Sequence, residues 1–215
     1  MKSNGGVKHL GVTAILVHLG LLVFGIAALL SGLLADDYKK VEHMGFTVHS
    51  WIGMAGAFFV LLRGALGVVG PPDLRFTNWV PYTRERLSFV KEDIRGLFRL
   101  RLPERPTHVG VSGLVQMFGL LVFLLIALSG IFLFFTIDPG HKSQGVIHTV
   151  KEFHEVGFLL IPLFLSLHVG ATIAHALRGR HLWRKMFFLK ELPDAPRPSD
   201  NRVNQTNRCG NEIVS

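Results

Sequence analysis

The residues of this chain best suited to chemistry are histidines placed where water is scarce. His154 and His168 stand fourteen residues apart within the apolar run FHEVGFLLIPLFLSLHVGATIAHAL. At about 100° per residue, fourteen steps return the second side chain to within roughly 40° of the first, about 21 Å further along the axis. Two imidazoles therefore share one helix face at two depths. His18 and His49 lie in two other apolar runs. An imidazole can give one nitrogen to a metal while an acceptor holds its other N–H. An unpartnered polar ring in hydrocarbon is costly, so such histidines mark a function or a partner. Four of them in two pairs are expected to hold two stacked b haems, each iron with histidine at both axial positions. That ligation favours electron transfer over substrate binding at iron.

The elements that must position these rings are apolar helices. Of 215 residues, 49% are apolar and only 18% charged, below the roughly 25% charge of ordinary soluble proteins. Four apolar runs, at about 10–34, 46–70, 111–137 and 153–177, each reach the approximately 20 residues that span a bilayer core. The expected fold is an all-α membrane protein, a four-helix transmembrane bundle. The first run follows Lys2 and Lys8 but exceeds a signal-peptide core of about 7–15 residues. It also carries His18, so it is expected to remain as a helix. Gly70-Pro71-Pro72 ends the second helix and Asp138-Pro139-Gly140 turns the chain after the third. Leu87, Val90, Ile94 and Leu97 repeat at helical spacing among Arg and Lys. They predict a helix over about 84–101, either lying at the membrane interface or packing on the bundle. The expected division is a di-haem domain over 1–190, followed by a polar, loosely ordered tail over 191–215. No internal repeat is evident beyond the histidine-bearing helices.

Charge orients the bundle. The amino-terminal arm, the 71–108 connection and the carboxy-terminal segment hold eighteen of the 23 Lys and Arg. The connections after the first and third helices hold only Lys39, Lys40, Lys142 and Lys151. Both termini are then expected to be cytoplasmic. The net charge of +8 is accounted for by topology, with no nucleic-acid partner implied. The single cysteine, Cys209, excludes both an intramolecular disulfide framework and an iron–sulfur cluster held by four thiolates of this chain.

Orientation turns spacing into depth. His18 and His168 fall roughly 12 and 14 Å from the cytoplasmic ends of their helices, while His49 and His154 lie near the outer ends. The expected pairs are His18 with His168 and His49 with His154. Arg63, fourteen residues after His49, falls at the level of the cytoplasmic haem. It is read either as a propionate partner or as a cation snorkelling to the headgroups. Gly25, Gly32, Gly53, Gly56, Gly64, Gly67 and Gly157 either make room for porphyrin planes or mark close helix contacts. Pro162 is expected to bend the fourth helix. His175, seven residues beyond His168, is the best substitute ligand, or a propionate or quinone contact. His43 and His148 are alternatives to His49 and His154. A haem-free proton or metal transporter is the competing class, although such paths usually recruit acids within the spans.

At this point the chain resembles the di-haem cytochrome b family: the membrane cytochrome b subunits of Ni,Fe-hydrogenases, the gamma subunit of formate dehydrogenase and bacterial cytochrome b561-like proteins. The resemblance runs over roughly residues 8–190. It is carried by His18, by HSWIGMAGAFFVLLRGALGVVGPPDLRF from His49 through Arg63, by LSGIFLFF, and by FHEV through LSLHVGATIAHALRGRHLWRKM. It implies residence in a bacterial cytoplasmic (inner) membrane, where the chain would be the electron-transfer subunit of a larger oxidoreductase. An extracytoplasmic redox partner, an iron–sulfur subunit or a cytochrome c, would exchange electrons through the two haems with membrane quinone. A standalone quinone-linked cytochrome b is the alternative, and an oligomer is compatible with either. The chain departs from the family at the start of the third helix. There, Thr107 to Gly113 replace an Asn-Pro-containing segment, leaving His108 and Ser112 as polar candidates for a quinone contact.

Overall fold

Long apolar sequences with few helix breakers produce long helices, and the computed structural model shows them. It describes residues 11–40, 42–72, 74–99, 110–179 and 184. The elements are α1 (Val12–Gly32), a 3-10 turn (Ala35–Lys39), α2 (Met44–Val69), α3 (Phe76–Trp79), α4 (Arg84–Phe98), α5 (Val111–Thr136), α6 (Gly145–Glu155) and α7 (Gly157–Leu177). No strand occurs among the described residues. Four stretches are long and apolar enough to cross a membrane: α1, α2, α5 and the combined Gly145–Leu177. Only 11–22% of each span is buried within the protein. Large apolar side chains such as Phe58, Phe135 and Leu159 are 59%, 74% and 69% exposed. In water such a surface would drive association; in a bilayer it is the surface lipid covers. This is a multi-pass, all-helical membrane protein.

The fourth span differs from expectation in two ways. It starts at Gly145 rather than near 153, because GVIHTVKEFHE is helical although its Lys, Glu and His dilute the apolar signal. It is also interrupted at Val156, between α6 and α7, a break that the apolar pattern did not signal; Pro162 lies inside α7. The α4 helix ends at Phe98, with Arg99 as its cap. Residues 100–101 of the expected interfacial helix, the 191–215 tail, His108 and Cys209 lie outside the described residues.

Within Met1–Gly170, which forms one compact unit, α1 packs along α2, α2 along α5 and α5 along α6. Phe24 of α1 stacks on Phe59 of α2, with ring centres 5.5 Å apart. Phe123 of α5 meets Phe164 of α7 edge-on at 5.8 Å. The second compact unit begins at Ala171. There α7 ends after His175, with Gly179 at φ 78° bonding back to the Ala176 carbonyl at 2.9 Å.

Two carboxylates anchor helix beginnings that would otherwise leave N–H groups unsatisfied. Asp37 accepts from the Gly45 and Phe46 amides of α2, both at 2.7 Å. The same turn carries buried Tyr38, whose carbonyl accepts from Gly140 N at 2.7 Å and whose hydroxyl lies 3.2 Å from Ser143 Oγ. The connections after α1 and α5 are thereby tied together. At the other end of the unit, buried Asp93 of α4 accepts from Val111 N of α5 at 3.1 Å. Gly110, at φ 77°, lets the chain pass this carboxylate; a Cβ there would overlap Asp93 Oδ2. One face of α4 therefore packs on the bundle through Val90 and Asp93, while Leu87, Ile94 and Phe98 remain exposed. Replacing Asp37 by Ala removes the acceptor of two amides. It is expected to cost about 1–2 kcal/mol, read as a lower unfolding midpoint in detergent; an unchanged midpoint would refute the anchoring role.

Candidate functional site

The four histidines come together in two facing pairs. His49 of α2 and His154 of α6 have ring centres 6.1 Å apart, with planes inclined at 70°. His18 of α1 and His168 of α7 have ring centres 6.3 Å apart, inclined at 38°. Two imidazoles in a direct N–H···N bond of about 3 Å would bring their centres to roughly 5 Å. A metal bonded at about 2.0–2.1 Å to one nitrogen of each ring requires about 6 Å. Both separations match the metal-bridged case. Among the described residues no group of three or more His, Cys, Asp or Glu forms a metal site. Any metal between these pairs must therefore bring further donors, as iron in a tetrapyrrole does.

Around the first pair the fit extends to the walls. A cavity of about 560 Å³ lies within the range of about 300–1,000 Å³ typical of cofactor sites. Its lining includes His49 and His154 with Gly25, Gly53, Gly56 and Gly157, and it reaches Asp36, Tyr38, Lys151 and Glu155 at the polar end. A Cβ on Gly53 would meet no atom within 4 Å, whereas Phe76 fills the space beside Gly67. Of the glycines expected to make room, Gly64 and Gly67 are absent from this cavity. Lys151 pairs with Glu155, and Lys39 with Asp36 at 3.0 Å. The Lys39 hydrogen bond holds the Asp36 carboxyl below its ordinary pKa.

Each imidazole of this pair is held from behind. His49 Nδ1 lies 3.1 Å from the Ala28 carbonyl and 3.3 Å from Ser31 Oγ. A carbonyl can only accept, so Nδ1 carries the proton and Nε2 keeps its lone pair. His154 repeats the arrangement, with Nδ1 2.9 Å from Ser129 Oγ, which itself donates to the Ile126 carbonyl at 3.0 Å. Glycine follows serine in both helices and gives the ring its space. A Cβ on Gly130 would stand 2.9 Å from His154 Cε1, and one on Gly32 would stand 3.4 Å from His49 Cε1. Sequence reasoning singled out Gly32 but gave no role to Ser31, Ser129 or Gly130. Their signal was present, however, in the tripeptide Leu-Ser-Gly at 30–32 and again at 128–130.

The second pair is furnished differently. His168 stacks on Phe164 at 5.4 Å. Nδ1 of His18 is buried with no hydrogen-bond partner among the described residues. Arg63, half-buried on α2, gives Nη1–H to the Leu74 carbonyl at 3.2 Å. Its guanidinium lies 5.6 Å from the Phe76 ring centre and 5.4 Å from that of Trp79. The segment after Pro71-Pro72 folds back to supply these aromatic faces, a clamp the sequence reading did not foresee. His175 lies in the last turn of α7, in the second compact unit. Of the substitute ligands, His148 is exposed and lies 3.8 Å from Glu152, while His43 meets the Phe46 ring.

The family model described as prokaryotic cytochrome b561 matches residues 9–189. No curated protein and no solved structure matches the chain. With four membrane-crossing helices, two facing histidine pairs and a match over most of its length, the chain belongs to the prokaryotic cytochrome b561 family, membrane proteins that carry electrons across the bilayer on b haem.

Proposed function

We propose that the protein holds two b haems, one between His49 and His154 and the other between His18 and His168. They would form an electron path through a bacterial cytoplasmic membrane. The observation that carries this reading is the pair of imidazole separations, 6.1 and 6.3 Å, on helices that place the two sites about 21 Å apart along the axis. An iron porphyrin held there would supply a one-electron change of oxidation state. The chain's own part is to fix those ligands and exclude water. Ala28, Ser31, Ile126 and Ser129 hold the outer imidazoles with Nε2 free. Phe164 supports His168 by stacking.

By the charge asymmetry of the connections, the His49–His154 site lies on the extracytoplasmic side and both termini lie in the cytoplasm. The cavity's polar end, with Asp36, Tyr38, Lys151 and Glu155, then faces the compartment of the redox partner, an iron–sulfur subunit or a cytochrome c. Electrons are exchanged with membrane quinone near the His18–His168 site. Arg63 is the basic side chain proposed for a propionate or quinone contact there.

A pyridine-haemochrome assay on the purified chain is expected to give two haems b per polypeptide. His154→Ala should remove one component of the reduced-minus-oxidised spectrum and His168→Ala the other. If both substitutions abolish the same component, the pairing is wrong. Gly130→Val thrusts a branched side chain against the His154 ring and should reproduce the loss seen in His154→Ala.

Arg63→Gln removes a cation, which disfavours the reduced, less positive iron. The midpoint potential of the cytoplasmic-side component should fall while haem content stays at two. Unchanged potentials would assign Arg63 to its aromatic clamp alone.

A further inference from the structure

Among the described residues, the buried polar or charged side chains are Ser31, Asp93 and Ser129. Asp93 is explained by the amide it anchors. The two serines occupy equivalent positions, one on α1 and one on α5, and each touches a histidine assigned to the outer haem.

Serine in a membrane helix commonly satisfies itself on the carbonyl one turn back, and Ser31 and Ser129 do so on Ala28 O at 3.2 Å and Ile126 O at 3.0 Å. Ser166 and Thr136 make the same kind of bond, to Pro162 O and Phe132 O at 2.8 Å, but neither is buried. Self-satisfaction alone therefore does not require burial against a histidine. The bond has a second consequence. A hydroxyl has one proton, and here that proton is directed to the carbonyl. Toward the imidazole only lone pairs remain, so each Oγ accepts from Nδ1–H. Ser31 and the Ala28 carbonyl converge on one Nδ1–H; Ser129 receives the other.

We infer that Ser31 and Ser129 are matched positioning residues that lock the His49 and His154 tautomers and raise the electron donation of both rings to the outer iron. This rests on the two-haem reading. An accepted N–H gives an imidazole partial anionic character and makes its other nitrogen more basic. A more basic ligand favours the ferric state, so the serines hold the outer potential down. Two serines acting on one iron leave the other site untouched. At the inner pair, Nδ1 of His18 has no such acceptor among the described residues.

The test is a potentiometric titration of the full-length haem-loaded protein, with low-temperature electron paramagnetic resonance of the ferric haems. Ser129→Ala should leave two haems bound and raise the potential of one component. The expected change is roughly threefold to tenfold in the ferrous-to-ferric ratio, about 30–60 mV for one electron. Ser31→Ala should move the same component in the same direction, and the double variant should move it further. Ser129→Thr, which keeps the hydroxyl, should return both potential and resonance toward the parent. Thr136→Val on the same helix is the control and should change neither. Unmoved potentials in both alanine variants, or equal movement of both components, would overturn the inference while leaving the two-haem reading intact. A parent protein without two b haems fails the reading itself. If Ser129→Ala loses haem altogether, the decision passes to Ser31→Ala and to whether Ser129→Thr restores binding.

Discussion

A histidine ring buried among lipid-facing helices has to place one N–H, and where that N–H goes governs much of this structure. Leaving it unmet in an apolar medium costs about 1–3 kcal/mol on mutational scales. Within a helix most carbonyls are already engaged, so the available acceptors are those at which serine and glycine open the surface. The Ala28 carbonyl meets that requirement for His49, and the Ser129 hydroxyl oxygen meets it for His154. Once the Nδ1–H groups are spoken for, both Nε2 lone pairs are committed to the space between the helices. The facing geometry, the glycines beside the rings and the cavity between α2 and α6 follow from that commitment.

Much of this was legible before any coordinates. Hydropathy gave four spans because membrane helices must satisfy their own backbone and cover it with apolar side chains. The depth argument placed His18 with His168 and His49 with His154, and in the structure these rings do face one another. The amphipathic beginning of the fourth span, where Lys151 and Glu155 pair across one turn, was not legible from a hydropathy average. The Arg63 clamp was hidden for another reason. Its aromatic partners, Phe76 and Trp79, lie beyond a double proline, and only the folded-back path of the chain brings them to the guanidinium. Asp93 read as one more charge on an amphipathic helix, because its target amide, Val111 N, is eighteen residues away.

The repeat that sequence reading did not find is one of contacts rather than of sequence identity. Ser31 with His49 corresponds to Ser129 with His154. Phe59, ten residues after His49, packs on Gly20; Phe164, ten residues after His154, packs on Gly119. Fourteen residues after each histidine the correspondence breaks, with Arg63 on one side and His168 on the other. The four-helix bundle thus consists of two helical hairpins, alike around the His49–His154 pair and different around the His18–His168 pair.

That likeness has a consequence for assembly. Each hairpin carries a half-site: a serine, a carbonyl, a glycine and one imidazole with its lone pair already aimed outward. Neither half needs the other to orient its ligand. The halves meet where α2 packs along α5, and in lipid water expulsion adds little to such a contact. A molecule that accepted both lone pairs at once would act there as a rivet between the two hairpins.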